Sequence, residues 1–472
     1  IKSVSYLFKG SIPSLILLSS NIEVISFAIV MALGLKVFAL EAYQIPTGSM
    51  QPTLMGTQLL DKTTKQPSGR LNDRVLVDKV SYFFRDPKRW EVVVFRYPLL
   101  THVNYVKRLV GMPGEQLQIE GGNLYARPIG SKEDFKILRK PWKVMSALWK
   151  RVLPSIGNES AKWAGWRISG NYLQDENNIL RFTSKGAVEY STSIRNGYLD
   201  GYPEEVFSLI PNVSSRSREV VSDLRIKFDL HQNEPKEPFI VNLELGEHLL
   251  NVYFSSDKKV TVELPDGSKE MLSTIPSLKN IEIAFWDDTF RIASDNREFF
   301  TKELTLKRQK PRKNRINFLA ESGWGLSPVY VDRDLHYLPP RQNAAPIFDI
   351  TAGHYFMLGD NTQNSLDSRD WQMETFSLPK EDGTSLSISG DYLQHGADPM
   401  YNNPRWDIKH KTMTFRDIHG NLHTLKENEV RSSANTLQHY PLVPREYMLG
   451  RALAVFMPIK PFSPTNRFSW VQ

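Results

Sequence analysis

The chain contains no cysteine. That excludes a disulfide scaffold, cysteine-ligated zinc, an iron–sulfur cluster and a cysteine nucleophile, and it leaves the redox compartment open. Histidine is scarce, ten in 472 residues, and five of them (His395, His410, His419, His423 and His439) crowd into one stretch. His419 and His423 stand four apart on a predicted hairpin, which does not suit a metal site. No metal or other cofactor is expected. A large excess of one charge is also missing. Lys+Arg 59 against Asp+Glu 52 leaves +7. That balance suits an anionic membrane surface or a basic exterior and does not call for nucleic acid. Hydrophobic residues make up 40% and charged residues 24%, enough for packed cores and against wholesale disorder. The length is enough for about three domains.

Long apolar runs are absent after Leu40. Before it, residues 22–40 form a single run close to the ~20 residues that span a bilayer. Glu23 and Lys36 mark its ends, and Lys36 can snorkel to an interface. A membrane anchor is predicted there, with a buried core helix as the alternative. Lys2 and Lys9 precede the run and Glu41 follows it. This bias puts 1–21 in the cytoplasm and the rest outside. The first residue is Ile1, which leaves room for a start upstream.

The remainder reads mainly as β. Residues 74–79, 91–95, 105–110, 354–358 and 449–456 are short, β-branched and bounded by turn residues. Hairpin signals stand at Pro265-Asp266-Gly267 and His419-Gly420-Asn421.

Three segments carry the chemistry. The first is Ile45-Pro46-Thr47-Gly48-Ser49-Met50-Gln51-Pro52-Thr53-Leu54. Two prolines stiffen it, and Gly48 lets the backbone approach something closely. A serine hydroxyl needs a base, and no histidine stands in a triad-like relation to it. The second segment, Tyr105-Val106-Lys107-Arg108-Leu109-Val110-Gly111-Met112-Pro113-Gly114-Glu115, offers a lysine. Strand alternation puts Tyr105, Lys107 and Leu109 on one face, where desolvation would lower the amine pKa. A solvated strand lysine is the plainer alternative. The third, Gly359-Asp360-Asn361-Thr362-Gln363-Asn364-Ser365-Leu366-Asp367-Ser368-Arg369-Asp370-Trp371, gathers hydroxyls, carboxylates and an arginine. A surface turn would not explain all three together.

Together these segments resemble the boxes of bacterial type I signal peptidases, and Gly450-Arg451-Ala452 matches the last box. The order, with an apolar run directly before the serine, agrees too. The resemblance implies a membrane-bound serine endopeptidase of the bacterial cytoplasmic membrane, single-pass, with its catalytic domain on the outer, periplasmic side. Its substrates would be preproteins whose N-terminal signal peptides are cut after small residues of the Ala-x-Ala type. It implies Ser49 as nucleophile and Lys107 as general base. Thr47 would be a side-chain oxyanion donor beside the Ser49 N–H. Ser365 would hydrogen-bond the lysine amine, Asp367 and Arg369 would brace the site, and Asp360 opens the same box. Tyr43, Ile45, Met50, Leu54, Tyr105 and Val106 would line shallow substrate pockets, with the substrate added along strand edges.

Two insertions depart from the family pattern. The expected organisation is catalytic core in 41–125, 347–371 and 440–472, a large insertion in 126–346 and a second in 372–439. Recurring strands at 223–228, 239–245, 248–254, 260–264, 281–285 and 289–293 predict an antiparallel β-sandwich of jelly-roll type in the first. A glycan or a protein is its expected class of ligand. The fold expected overall is mainly β, with a signal-peptidase-like β-barrel core. Residues 139–153 predict an amphipathic helix carrying Trp142, Met145, Leu148, Trp149, Val152 and Leu153 on one face. It suits a membrane interface or packing on the sandwich. The basic run 307–315 is expected in a solvated loop. Residues 168–174 and 388–394 share six of seven positions and suggest equivalent strands. The rival reading is a membrane-anchored binding protein that uses the sandwich on an inactive peptidase core.

Overall fold

Antiparallel pairing of short β-branched runs builds nearly all of this protein. Its structure, a computed structural model, describes residues 22, 24–27, 40–61, 63–155, 161–202, 216–340, 347–379, 384–394, 402–457 and 468–471. Most of the apolar run 22–40 therefore lies outside the described residues. Among the described residues no helix is long and apolar enough to cross a membrane.

The segments around the three motifs share one sheet. Its order is Leu40–Gln44, Arg74–Asp78, Met448–Met457, Val92–Tyr97, Leu100–Gly111, His354–Leu358 and Leu442–Pro444, with Ser469–Trp470 attached to Met448–Met457. Every pairing is antiparallel. Among the described residues the path runs from one edge strand to another and does not close, so the expected barrel is there an open sheet. Among the described residues Leu40–Gln44 pairs on one side only, with Arg74–Asp78, which leaves its other edge without a strand there. All five strands expected around the motifs are present, and His354–Leu358 has the expected bounds.

A four-stranded sheet follows, in the order Ile347–Ile350, Glu115–Glu120, Asn123–Pro128 and Lys136–Ile137. Asn123–Pro128 straddles the boundary expected at 126. Glu115–Glu120 pairs on one side with Ile347–Ile350 and on the other with Asn123–Pro128. The two ends of the large insertion thus lie only two strands apart.

The insertion is built from a six-stranded and a seven-stranded sheet. Their inner faces meet across one apolar cluster that includes Ile226, Phe228, Phe239, Val252, Ile283, Phe290 and Phe318. Phe239–Leu245 and Leu224–Phe228 alternate buried and half-buried, the period-2 signature of a strand with one covered face. Ile281–Trp286 and Thr289–Ser294 are buried on both faces. A second cluster joins the insertion to the core. Ala284, Trp286, Leu335 and Tyr337 pack with Val110, Leu117, Phe356 and Leu358.

The predicted helix over 139–153 is shorter than its pattern. Only Trp142–Leu148 is helical, and Lys150–Leu153 is a strand paired with Tyr330–Arg333. Trp149 has extended dihedrals (φ −57°, ψ 126°) and ends the helix. Its tryptophans face protein. The Trp142 ring centroid lies 5.4 Å and that of Trp149 6.4 Å from Trp286, while Arg291 stacks 3.8 Å over Trp142 and Arg225 5.0 Å over Trp149. The apolar face therefore packs on the insertion, and the membrane-interface expectation is not met.

The basic run 307–315 is tied down as well. Arg308 donates to Gln118 Oε1 at 3.1 Å and to the Phe135 carbonyl, and it lies 4.2 Å over the Tyr125 ring. The repeated heptads differ in structure. The first spans two short strands in two different sheets, Arg167–Ser169 and Tyr172–Gln174, whereas the second lies in Ser385–Asp391 and a bridge at Leu393. The second insertion holds two three-stranded sheets around Phe376, Ile388, Met413, Phe415 and Leu425. His423 and His410 each bind a neighbouring aspartate there, Asp417 at 2.9 Å and Asp407 at 2.7 Å.

Candidate active site

Ser49 sits in a tight loop after the edge strand Leu40–Gln44. Backbone bonds from Gln51 N to the Gly48 carbonyl (3.1 Å) and from Leu54 N to the Met50 carbonyl (3.0 Å) shape it. A Cβ on Gly56 would stand 2.4 Å from the Thr47 carbonyl oxygen, so the hairpin can approach the loop only with glycine there. Gly48, the glycine singled out from sequence, is less constrained. A Cβ there would meet only the end of the Gln51 side chain, at 2.8 Å.

Lys107 lies on Leu100–Gly111, opposite Val93. It is buried, with 3% exposure. Its Nζ is 2.5 Å from Ser49 Oγ, joining residues 58 positions apart. The amine also lies 5.5 Å from the Tyr105 ring centroid. Burial pushes its pKa down to about 8, and Asp367 pulls in the opposite direction. A large fraction is therefore neutral near pH 8. A neutral amine at this distance can accept the hydroxyl proton.

The third segment folds around the pair. Asp360 accepts two parallel bonds from Arg108, Nε and NH2 each at 2.8 Å, with both side chains fully buried. Thr53 Oγ1 donates to the same carboxylate at 2.5 Å. Burial opposes the charge on Asp360, but the Arg108 guanidinium outweighs it and holds the carboxyl below its usual range. Asn361 reaches the serine loop twice. Its N–H donates to the Ser49 carbonyl and its Nδ2 to the Gly48 carbonyl, both at 3.0 Å. Asp367 binds Arg369 through 2.7 and 2.8 Å contacts and accepts from Gly359 N at 3.0 Å. Ser365 is fully buried beside Gly359, where a Cβ would come within 2.1 Å of Ser365 Oγ.

The structure brings Ser49, Lys107, Asp360, Ser365, Asp367 and Arg369 into one centre, with Thr47 exposed two residues before the serine. Ile45, Met50 and Leu54 are buried in one cluster, against which Tyr43 and Val106 pack. Tyr105 lies on the opposite face of its strand, stacked at 4.2 Å on Tyr97 and edge-on to Trp371. Sequence reasoning assigned no role to Thr53, Arg108 or Asn361, although all three stand in the quoted motifs. It also missed Lys150, Asn196 and Tyr202 from the large insertion, for which no sequence signal exists.

Two other features lie apart. A cavity of about 610 Å³ opens on the outer face of the six-stranded sheet, between Trp142 and Tyr330. Its cations are already paired. Arg151 and Arg225 bind Asp332, and Arg225, Lys227 and Arg291 bind Glu282. Three buried carboxylates, Asp223, Asp287 and Asp334, bring oxygens within 4.8 Å of one another. Lys140 sits against them, 2.7 Å from Asp287 and 2.9 Å from Asp334, so an ammonium already supplies the cation.

The family model for signal peptidase, peptidase S26, matches residues 18–143 and 288–383. A probable signal peptidase I-2 of Synechocystis sp. is 35% identical over 103 residues, 21% of this chain and 40% of that protein. A signal peptidase I of Leptolyngbya laminosa is 35% identical over 115 residues (23% and 49%), and one of Pseudomonas fluorescens is 40% identical over 95 residues (18% and 28%). The chain spans between about a quarter and a half of the length of these curated relatives. Among solved structures, the carbohydrate binding module CBM66 from Bacillus subtilis covers 35% of this chain and 93% of its own length. It does so at 11% identity and a TM-score of 0.22. A CBM2 module of a Lactobacillus casei phage covers 40% and 97%, at 14% identity and a TM-score of 0.26. Likenesses that low carry no argument. The matched segments, which hold the serine, the lysine and the whole 359–371 box around them, make the chain similar to the signal peptidase family, peptidase S26.

Proposed function

We propose that this protein is a serine endopeptidase that removes N-terminal signal peptides from exported preproteins, cutting after small residues of the Ala-x-Ala type. The observation that carries the reading is the 2.5 Å contact between Ser49 Oγ and a buried Lys107 amine whose pKa is held near 8. Ser49 attacks the scissile carbonyl carbon while neutral Lys107 takes the hydroxyl proton. The tetrahedral oxyanion is received by the Ser49 N–H and the Thr47 hydroxyl. The Lys107 ammonium then protonates the departing amine, and water hydrolyses the acyl-enzyme by the reverse sequence. Asp360, Ser365, Asp367 and Arg369 keep the lysine and the serine loop in register. The substrate lies extended on the free edge of Leu40–Gln44, against walls contributed by Tyr43, Ile45, Met50, Leu54, Tyr105 and Val106.

The same reading puts residues 22–40 in a bilayer as a single-pass anchor, with the catalytic sheet on the outer side of a bacterial cytoplasmic membrane. A retired core serving only as a platform for a binding module is disfavoured, because nucleophile and base are both present and in contact. Purified protein should cleave an exported precursor at an Ala-x-Ala site, and Ser49→Ala should not. Equal cleavage by the two would refute the proposal.

A further inference from the structure

The large insertion reaches the catalytic centre at several points, and three of the residues that do so, Lys150, Asn196 and Tyr202, lie outside the segments that match the family. Lys150, on the strand Lys150–Leu153, is buried, and its Nζ donates to the Asp360 carbonyl at 3.1 Å. Tyr202 donates from its hydroxyl to Gln51 Oε1 at 2.5 Å, two residues beyond the nucleophile, and packs against Met55 and Leu71. Between them, Asn196 Nδ2 lies 3.4 Å from Thr362 Oγ1, and the Gln363 amide donates to the Asn196 carbonyl. The stretch 196–202 is itself fastened to the insertion. Arg333 binds Asp200 at 2.5 Å and the Gly197 carbonyl at 2.7 Å. The two segments that carry these residues also meet, and Gly201 N donates to the Arg151 carbonyl at 3.2 Å. Gly201 has φ +75°, and a Cβ there would stand 3.0 Å from Lys150 Cα.

We propose that the insertion is a built-in part of the catalytic centre, in which Lys150 and Tyr202 are positioning residues that clamp the turn 359–361 and the serine loop together. The proposal rests on the Ser49–Lys107 reading above. The Asp360 side chain is already taken by Arg108 and Thr53. Lys150 meets the backbone carbonyl of the same residue. The next residue, Asn361, holds the Ser49 and Gly48 carbonyls. A shift of the turn therefore displaces the nucleophile relative to Lys107. An apolar side chain could fill the same space without the cost of burying an amine. What Lys150 adds is a hydrogen-bond donor for a buried acceptor. Its burial, followed by the nearby Arg333 charge, pushes its pKa down to about 7. Tyr202 acts on the other loop through Gln51, so the clamp grips both sides of the dyad.

The test uses the full chain and two conservative variants, Lys150→Met and Tyr202→Phe, assayed on a soluble Ala-x-Ala peptide across pH. Each is expected to lower kcat about tenfold or more, as loss of near-attack geometry does, with KM within threefold. Lys150→Met should also change the pH at which kcat rises, a readout that a merely structural residue would not move. Either variant, if folded, that keeps kcat within twofold of the unaltered protein overturns the proposal. Should Lys150→Met fail to fold, Tyr202→Phe, which removes a single oxygen, decides alone. An unaltered protein that cleaves no peptide would count against the peptidase reading instead. In that case the clamp is read from acylation of Ser49 by p-nitrophenyl acetate, followed by mass. The same tenfold loss is expected, and equal rates overturn it.

Discussion

At the scale of single residues, the proposed Ser49–Lys107 dyad depends on the burial of Lys107. An amine in water would be protonated and useless as a base at neutral pH. Ser49→Ala and Lys107→Ala should each reduce cleavage by at least about a thousandfold while leaving the melting temperature near that of the unaltered chain. Lys107→Arg should be equally inactive, because a guanidinium stays protonated. Activity with chemistry limiting should rise with pH through about 8 and be low in acid. The same group affects stability with the same sign. Its folded pKa lies below its ordinary 10.5, so the folded state binds fewer protons between the two values. Its contribution is complete above that window and is lost as pH falls through about 8. A rate that is flat from pH 6 to 9 would contradict a lysine base. The Arg108–Asp360 pair behaves differently. Asp360→Asn leaves a buried guanidinium short of its counter-charge, so a loss of roughly 3–5 kcal/mol is expected in denaturant unfolding.

At the scale of elements, the short helix Trp142–Leu148 and the turn at Gly122 carry the attachment of the insertion. The helix has the composition of a membrane-surface segment, yet both flanking tryptophans are covered by Trp286, Arg225 and Arg291. Trp142→Ser with Trp149→Ser should cost roughly 2–3 kcal/mol each, somewhat less than a fully buried tryptophan. Co-sedimentation with anionic vesicles should be unchanged. A fall in vesicle binding at constant stability would restore the lipid role. Gly122 has φ +94° and bridges to Tyr337, and a Cβ there would lie 2.1 Å from His336 Nδ1. His336 is buried, and burial holds its pKa down at about 3, so the ring is neutral and rigidly packed. Gly122→Ala should destabilise by about 3 kcal/mol, through left-handed strain and overpacking together. A melting curve within a degree of the unaltered protein would contradict that packing.

At the scale of the whole molecule, the question is whether the insertion can be removed. Its ends lie two strands apart on the sheet of Glu115–Glu120, as a tolerated insertion requires. Closeness of the ends is not sufficient, because one apolar cluster draws on both core and insertion, and Arg369 donates to the Leu338 carbonyl at 2.9 Å. Replacing residues 127–346 with a short Gly/Ser linker should therefore abolish peptide cleavage and expose the face around Phe356 and Leu358. A shortened protein that folds cooperatively and keeps more than about a tenth of the activity would refute this, since loss of a shared core cannot be that mild.

Much of this was legible in the amino-acid sequence, because it follows from local chemistry. β-Branched runs with period-2 burial make Phe239–Leu245, His248–Phe254 and His354–Leu358 strands wherever they lie. Ser49, Lys107 and the 359–371 segment stand in order within short motifs. What needed tertiary structure was every relation between distant segments. The pattern at 139–153 is equally good for lipid or protein, and only the position of Trp286 decides between them. Whether the catalytic sheet closes depends on pairing partners for Leu40–Gln44 and Leu442–Pro444, which no local propensity specifies. Lys150 and Tyr202 are, by sequence, an ordinary lysine and an ordinary tyrosine. Their place beside Asp360 and Gln51 arises from the packing of two sheets over contacts that span 210 and 151 residues. The energy of such a contact comes from burial and geometry, and neither is written in the residues on either side of it.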